Sequence, residues 1–396
     1  MLIEALIKVA VVLGGLMTAA AYFVLLERRV AAWVQDRRGP NRVGVPLSLL
    51  SPRLKDLRLF GLGQPAADGL KFIFKEEYTP AHVNRFLYVL APITIMVAAL
   101  AVFAAIPFGS VLPMGEQPVE MVVVPGFNVA LLYVFALSSI AVYGVILGGW
   151  ASNNKYSFLG GLRSSAQLIA YELPLGLGLL GVVLASGSLD LSVIIQRQSE
   201  GMWFALAQPL GFTVFAIAAF AEAARLPFDL PECEQELIGG YHTEYAGMKL
   251  LLFLVAEFLH MITASYLIVI LFLGGWHFPG LTGPVGETPG WGLAILRILA
   301  LNLKVFLVIF FFMMVRWSWP RFRFDQLMAL AWKVMLPLGL INLVVVACLN
   351  ELPKQTEGNN VLIAGTVISW VICIVAWVAI TVAVPVVADN RPRVKG

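Results

Sequence analysis

The chain has 396 residues, of which 60% are hydrophobic and only 13% charged, where an ordinary soluble domain carries about a quarter charged residues. A mean hydropathy of +0.86 excludes a water-soluble globule, and a formal net charge of +3 gives no reason to expect a nucleic-acid partner. Cys233, Cys348 and Cys373 are too scattered for a disulfide framework or iron–sulfur ligation.

A helix that crosses a bilayer needs about 20 mainly apolar residues. The first such run, Val9–Leu26, closes on Glu27, Arg28 and Arg29 where a signal peptide would have a small-residue cleavage site, so a retained span is expected. Uncharged runs follow at Phe86–Pro107, Phe127–Trp150, Trp203–Ala221 and Val361–Ala388. Four more carry embedded charges: Ala166–Ser186, Leu250–Trp276, Leu293–Val315 and Leu327–Leu349. The expectation is an all-α polytopic bundle of about nine spanning helices. Of the 27 basic residues, 21 fall in alternate loops and the C-terminal tail, while the opposite loops carry only Arg197 and Lys354. Basic residues are retained on the cytoplasmic side, which predicts the N-terminus outside and the C-terminus inside.

The first inner loop, Glu27–Arg85, is long. It opens ERRVAAWVQDRRGPNRVG, with a turn signal at Gly39-Pro40-Asn41. Arg28, Arg29, Arg37, Arg38 and Arg42 fit anionic lipid headgroups, or alternatively balance acids across a polar cavity. Further on, Leu70, Ile73 and Phe74 fall at i, i+3, i+4 between Lys71 and Lys75, a pattern for a short interfacial helix with snorkelling lysines or else a plain loop fragment.

An ionisable group inside a span costs several kcal/mol unless paired, neutralised or hydrated. Glu172 stands two residues before Pro174, whose missing N–H leaves a carbonyl free for water. Glu257 lies eight residues past Lys249. Arg297 and Lys304, seven apart, share a helix face, and Lys333 sits on the next span. Structural ion pairs between helices compete here with a proton or water path, and for Glu172 and Glu257 the path is the expectation. Glu257-Phe258-Leu259-His260 has the Glu-x-x-His spacing of di-iron bundles but no second copy, so no metal site is expected.

Between the fifth and sixth spans, Asp229, Glu232, Glu234 and Glu236 put four carboxylates within eight residues. A helix would set Asp229, Glu232 and Glu236 on one face, whereas an extended chain would align Glu232, Glu234 and Glu236. Taken alone, such a stretch reads as a solvated acidic loop. Against that, Leu226, Phe228 and Leu230 interleave the acids, and desolvation with mutual repulsion raises carboxylate pKa values.

Four stretches, ERRVAAWVQDRRGPNRVG (27–44), SNNKYSFLGGLRSSAQLIAYE (152–172), PFDLPECEQELIGGYHTEYAGMK (227–249) and PRFRFDQLM (320–328), together resemble the membrane subunit family that forms the quinone chamber of proton-pumping NADH:quinone oxidoreductase, respiratory complex I. The resemblance covers about residues 1–350 and implies a subunit with no redox centre of its own. Quinone is the implied substrate. Flavin and iron–sulfur clusters belong to peripheral partners, with antiporter-like subunits beside the chain in a bacterial inner membrane. Carried over by motif, Glu27, Arg28, Arg37, Asp229, Glu232, Glu234 and Glu236 would line the chamber, and Glu172, Glu222 and Glu257 would lead from it into the membrane arm. Residues 351–396 would add an outer loop, a ninth helix and a basic cytoplasmic tail.

The chain departs from the family pattern in that ninth helix, in a longer, more basic stretch between Gly44 and Asp68, and at Ala223 and Ala224, where polar residues are expected. Membrane subunits of a related membrane-bound hydrogenase or a deazaflavin-dependent dehydrogenase also resemble it, although GPNRVG and GYHTEY favour complex I. A free-standing secondary transporter would require inverted repeats, and none is apparent.

Overall fold

The computed structural model describes residues 2–44, 60–113, 118–231, 234–283, 289–351 and 359–383, and is almost entirely helical. Helix α1 (Leu2–Val34) outruns its apolar stretch, since Glu, Arg and Ala sustain a helix well. It stops where Asp36 turns the backbone to φ +50°. The expected short helix is present as α2 (Gln64–Phe74), with Pro near its start and Leu70, Ile73 and Phe74 exposed. The Gly39–Gly44 turn packs on Gly61 and Gly63. A Cβ on Gly63 would sit 2.8 Å from the Gly44 carbonyl, so the approach of these two loops requires glycine.

Helix α3 (Arg85–Ala101) is capped by Asn84, and a small antiparallel hairpin of β1 (Val111–Leu112) and β2 (Val119–Glu120) precedes α4 (Ala130–Ala151). Helix α5 (Lys155–Ser186) starts at Asn154, which accepts from the Tyr156 N–H at 2.9 Å, and ends at Gly187 in the left-handed region. It runs unbroken through Pro174. The α3–α4 contact is equally close: a Cβ on Gly144 would lie 2.8 Å from the Ile95 Cβ.

Two local results differ from expectation. The loop after α5 holds a helix, α6 (Leu191–Glu200), capped by Asp190. The fifth span is broken at Gln208-Pro209 into α7 (Phe204–Ala207) and α8 (Pro209–Glu222), because Pro cannot donate to the preceding turn. Fourteen residues reach only about 21 Å, short of a hydrocarbon core of about 30 Å. After α9 (Glu234–Leu237) come α10 (Gly247–Phe272), α11 (Trp291–Ser318), α12 (Phe324–Ala329), α13 (Leu336–Glu351) and α14 (Asn359–Ala383). A π-helical turn, Leu330–Met335, leads into α13 and accommodates Pro337. Seven of the described helices are long and apolar enough to span a bilayer, and α8 and Gly365–Ala379 of α14 are shorter apolar helices at the other two expected positions.

Helix α10 is the centre of the bundle: every residue from Met261 to Phe272 is buried. It touches α1, α3, α8 and α11. The cations of α11 tie down its end. The Lys304 ammonium donates to the carbonyls of Leu273, Gly275 and His277 at 2.7, 3.0 and 2.6 Å and lies over the Trp203 ring. Fully buried Arg297 donates to the Thr282 carbonyl at 3.1 Å. Both cations meet backbone dipoles at a helix end rather than carboxylates. Lys333, in the π-helical turn, is exposed. Of the cysteines, Cys348 is exposed and Cys373 is buried, while Cys233 falls outside the described residues.

Candidate functional site

Four ionisable side chains converge at one end of the bundle, where α1, α8 and α11 finish and α10 begins. Glu27, buried on α1, takes hydrogen bonds from Arg225, which follows α8 (3.2 and 3.4 Å), and pairs with Arg316 in the last turn of α11. The Arg225 guanidinium also reaches Glu257 at 3.1 Å and stacks over the Phe258 ring. Glu257 stands ten residues into α10, about 15 Å along its axis. Two carboxylates against two guanidinium groups make the cluster neutral. That balance is what allows charges to remain where an isolated one would be prohibitive.

The chain between α8 and α9 is pinned rather than loose. Ala224 turns it through φ +49°, and the Leu226–Pro227 peptide is cis. Buried Gln167 of α5 donates to the carbonyls of Ala221 (2.9 Å) and Phe228 (2.8 Å). Phe228 stacks on Phe322, and the Phe322 N–H donates to the Pro227 carbonyl, so the 227–231 and 320–324 motifs form one surface. There buried Asp229 meets Arg321 at 3.2 Å. Neither a helix nor a straight extended chain describes the acidic stretch. Hydrogen bonds to Gln167 set its path up to Leu230, and a helix begins only at Glu234.

The GYHTEY stretch packs equally tightly. A Cβ on Gly160 would lie 2.6 Å from the Tyr241 backbone nitrogen, so glycine is needed for α5 to meet this loop. Tyr88 donates to the Glu244 carbonyl (2.6 Å) and stacks on Tyr245, whose phenol is pushed up, chiefly by burial. Such a rigid wall holds the start of α10, and therefore Glu257, in place.

A second polar group begins across a small cavity. Glu257, Glu222, Ser138, Ser164, Tyr241 and His260 are among the residues lining a space of about 60 Å³. That holds a few waters at about 10–15 Å³ each and falls far short of the roughly 300 Å³ of a small-molecule pocket. Ser138 of α4 donates to Glu222, and its neighbour Ser139 donates to Glu172 of α5. The two serines therefore connect Glu222, half-buried at the end of α8, with Glu172, which is exposed on the side of the bundle midway along α5. A carboxyl at that depth cannot face hydrocarbon cheaply. Glu27, Arg225, Glu257, the cavity, Glu222, the serine pair and Glu172 make a polar sequence from the loop face to the lateral surface.

The other residues singled out from sequence are placed differently. Exposed Arg28 pairs with Asp68 of α2 at 2.6 Å, and Arg29 donates to the Phe60 carbonyl. Exposed Arg37 donates to the Gln35 side chain at 2.7 Å. Glu236 pairs with Arg163 of α5 at 2.6 Å. Glu232 and the Glu234 side chain lie outside the described residues. Thus Glu27 and Asp229 are brought into one buried region, while Arg28, Arg37 and Glu236 stand on its outer surface. Sequence reasoning does not single out Arg225, Arg316, Arg321, Ser138 or Ser139. In a sequence the arginines count only as orientation signals, and a serine pair in an apolar run carries no charge to draw notice.

A family model described as NADH dehydrogenase matches residues 7–347. The chain is 44% identical over 352 residues to an H-type NADH-quinone oxidoreductase membrane chain of Cytophaga hutchinsonii, covering 88% of this chain and 97% of that protein. It is 46% identical over 340 residues to the corresponding NADH-quinone oxidoreductase chain of Geobacter metallireducens (86% and 94%), and 45% identical over 360 residues to that of Koribacter versatilis (87% and 96%).

Proposed function

Because the chain belongs to the NADH dehydrogenase family, we propose that it is the membrane subunit of a proton-translocating NADH–quinone oxidoreductase in a bacterial inner membrane. Its loop face then forms the quinone access and reduction chamber. Electrons arrive from flavin and iron–sulfur clusters on peripheral partners, and antiporter-like subunits adjoin the bundle. Residues 1–350 act as the core, with 351–396 an addition whose α14 packs on α8 and the π-helical turn through Leu210, Val214, Met335 and Cys373.

One observation carries this reading: the polar sequence from Glu27 to Glu172 begins beside the acidic motif and ends at the bundle's flank. A charge change at the loop face acts first on the Glu27–Arg225–Arg316 group. Arg225 shares its guanidinium with Glu257, so the change is felt at the water-sized cavity, where Glu222 stands next in line. Glu172 then meets a partner rather than lipid. In this scheme the chain's own residues hold and move protons, while quinone reduction belongs to the junction with the partners.

The test uses the assembled complex. Glu234→Gln or Arg28→Ala should leave NADH oxidation by a soluble artificial acceptor intact and impair quinone reduction. Glu257→Gln should weaken coupled proton pumping in proteoliposomes. Unchanged quinone reduction and pumping across these variants would refute the assignment. Co-purification with a nickel–iron subunit in place of an NADH-oxidising module would favour the hydrogenase reading.

A further inference from the structure

A groove of about 850 Å³ lies between α1 and the facing sides of α10 and α11, with Leu112, Val119 and Met121 of the hairpin region along one edge. It follows α1 from Glu4 to Phe23, about 28 Å at 1.5 Å per residue. Its floor and walls are apolar, including Leu16, Phe23, Ile262 and Phe306. Midway, Tyr266 and Asn302 satisfy each other by a 3.1 Å hydrogen bond. Ile7 and Val11 on the rim are exposed, so the groove opens sideways. Charge appears at one end only, where Lys8 and Glu4 form a 2.9 Å ion pair. The lysine is drawn in to 17% exposure and the carboxylate left half exposed.

We propose that this groove is a binding site for a zwitterionic phospholipid of the phosphoethanolamine kind. Its acyl chains lie along α1 and its headgroup sits on the Glu4–Lys8 pair, with phosphate toward Lys8 and ammonium toward Glu4. The charge pattern selects the headgroup: an anionic lipid would set unbalanced negative charge against Glu4, whereas a zwitterion completes both partners. Size selects against a protein helix. A spanning helix about 10–12 Å across and 30 Å long fills on the order of 2,500 Å³, about three times the groove. Gly15 marks the lining, because a Cβ there would meet nothing within 4 Å and the space beside it is lipid-sized and unfilled by the chain itself. The groove stops at Phe23, one turn of α1 before Glu27, so the lipid would steady the helix that carries the buried cluster.

The experiment counts phospholipid on the purified complex by native mass spectrometry, after exchange into nanodiscs of mixed phosphatidylethanolamine and phosphatidylglycerol. The wild-type complex should retain at least one more phosphatidylethanolamine than the Gly15→Leu variant, whose side chain fills the groove without meeting protein. Lys8→Gln should lower the preference for phosphatidylethanolamine over phosphatidylglycerol several-fold. If Gly15→Leu does not assemble, the Lys8→Gln comparison decides alone. Equal lipid counts in wild type and Gly15→Leu, a preference unmoved by Lys8→Gln, or a partner helix seated in the groove of the assembled complex would overturn the proposal. Quinone turnover is not read, so failure here and failure of the chamber assignment are separable.

Discussion

The Arg225 guanidinium holds Glu257 at 3.1 Å and Glu27 at 3.2 Å, joining α10 to α1 through a residue of the loop after α8. Removing one member of a buried ion cluster costs about 3–5 kcal/mol, because its partners are stranded without water. Arg225→Met should therefore lower the melting temperature of the complex sharply and reduce assembled chain in the membrane. Adding Glu257→Gln in the same chain should recover part of the loss, since it removes one stranded anion. A double variant no more stable than the single would show that Glu257 does not depend on Arg225.

Ser138 and Ser139 supply the hydroxyls that Glu222 and Glu172 accept from. Each such bond to a charged group is worth about 1.5–3 kcal/mol, and its loss shifts the carboxyl it served. Ser138→Ala should keep NADH–quinone electron transfer and reduce pumped protons per turnover, with Glu222→Gln reducing them further. Proteoliposome acidification measured beside NADH oxidation separates the two. Equal losses in both readouts would reduce the serine to a packing role.

How much of this was legible in the sequence depends on what each signal encodes. Hydrophobic runs marked helices because burial in lipid needs length and apolarity, and α2 followed from one i, i+3, i+4 pattern. The break at Gln208-Pro209 is visible as a proline but reads as part of a span, since run length alone hides where the ladder fails. The site was legible as charge type and not as pairing. Glu27 and Arg225 are 198 residues apart, and only tertiary packing of α1 against α10 brings them together. Arg297 and Lys304 show the same limit: a seven-residue spacing gives the shared face, yet the groups they meet are carbonyls, which no side-chain pattern announces.

Arg28–Asp68 and Arg163–Glu236 differ from the buried cluster in being partly open to solvent. Exposed pairs contribute about 0–1 kcal/mol. Arg163→Ala should accordingly change the melting temperature by no more than a degree or two. Arg28→Ala should be equally mild for stability while lowering quinone reduction, measured against the soluble-acceptor rate in the same preparation. A large stability loss at either position would mean that a partner covers the pair in the assembled complex.

His277 lies in the turn after α10, 3.3 Å from the Thr282 hydroxyl, and its imidazole is held below its ordinary value by burial first and then by Lys304 and Arg297. A group whose folded pKa is depressed binds fewer protons folded than unfolded. The neutral form's stabilising effect is therefore complete above the unfolded value of about 6.5 and is lost as pH falls below it. The His277→Gln variant should show a flatter decline in melting temperature between about pH 6.5 and 5. An identical acid limb in both proteins would show that the ring does not titrate in that window.

Lys304 carries the sharpest stability prediction because its three acceptors, Leu273, Gly275 and His277, close the end of α10. The last carbonyls of a helix have no N–H within the helix, and inside a membrane protein each one left bare costs free energy. Lys304→Met keeps the stem's volume but leaves those three carbonyls without their donor, and it removes the cation from over the Trp203 ring. Charge-assisted hydrogen bonds are worth about 1.5–3 kcal/mol apiece, and they share one ammonium, so about 3 kcal/mol is expected for the set. Lys304→Arg should lose less, because the guanidinium keeps donors although its planar fork matches three convergent carbonyls poorly. Amide exchange at Leu273–Gly275 reads the effect locally: protection should fall strongly in Lys304→Met and partly in Lys304→Arg. Unchanged protection in both would mean that the packing of α6 and α11 holds the end of α10 without the cation.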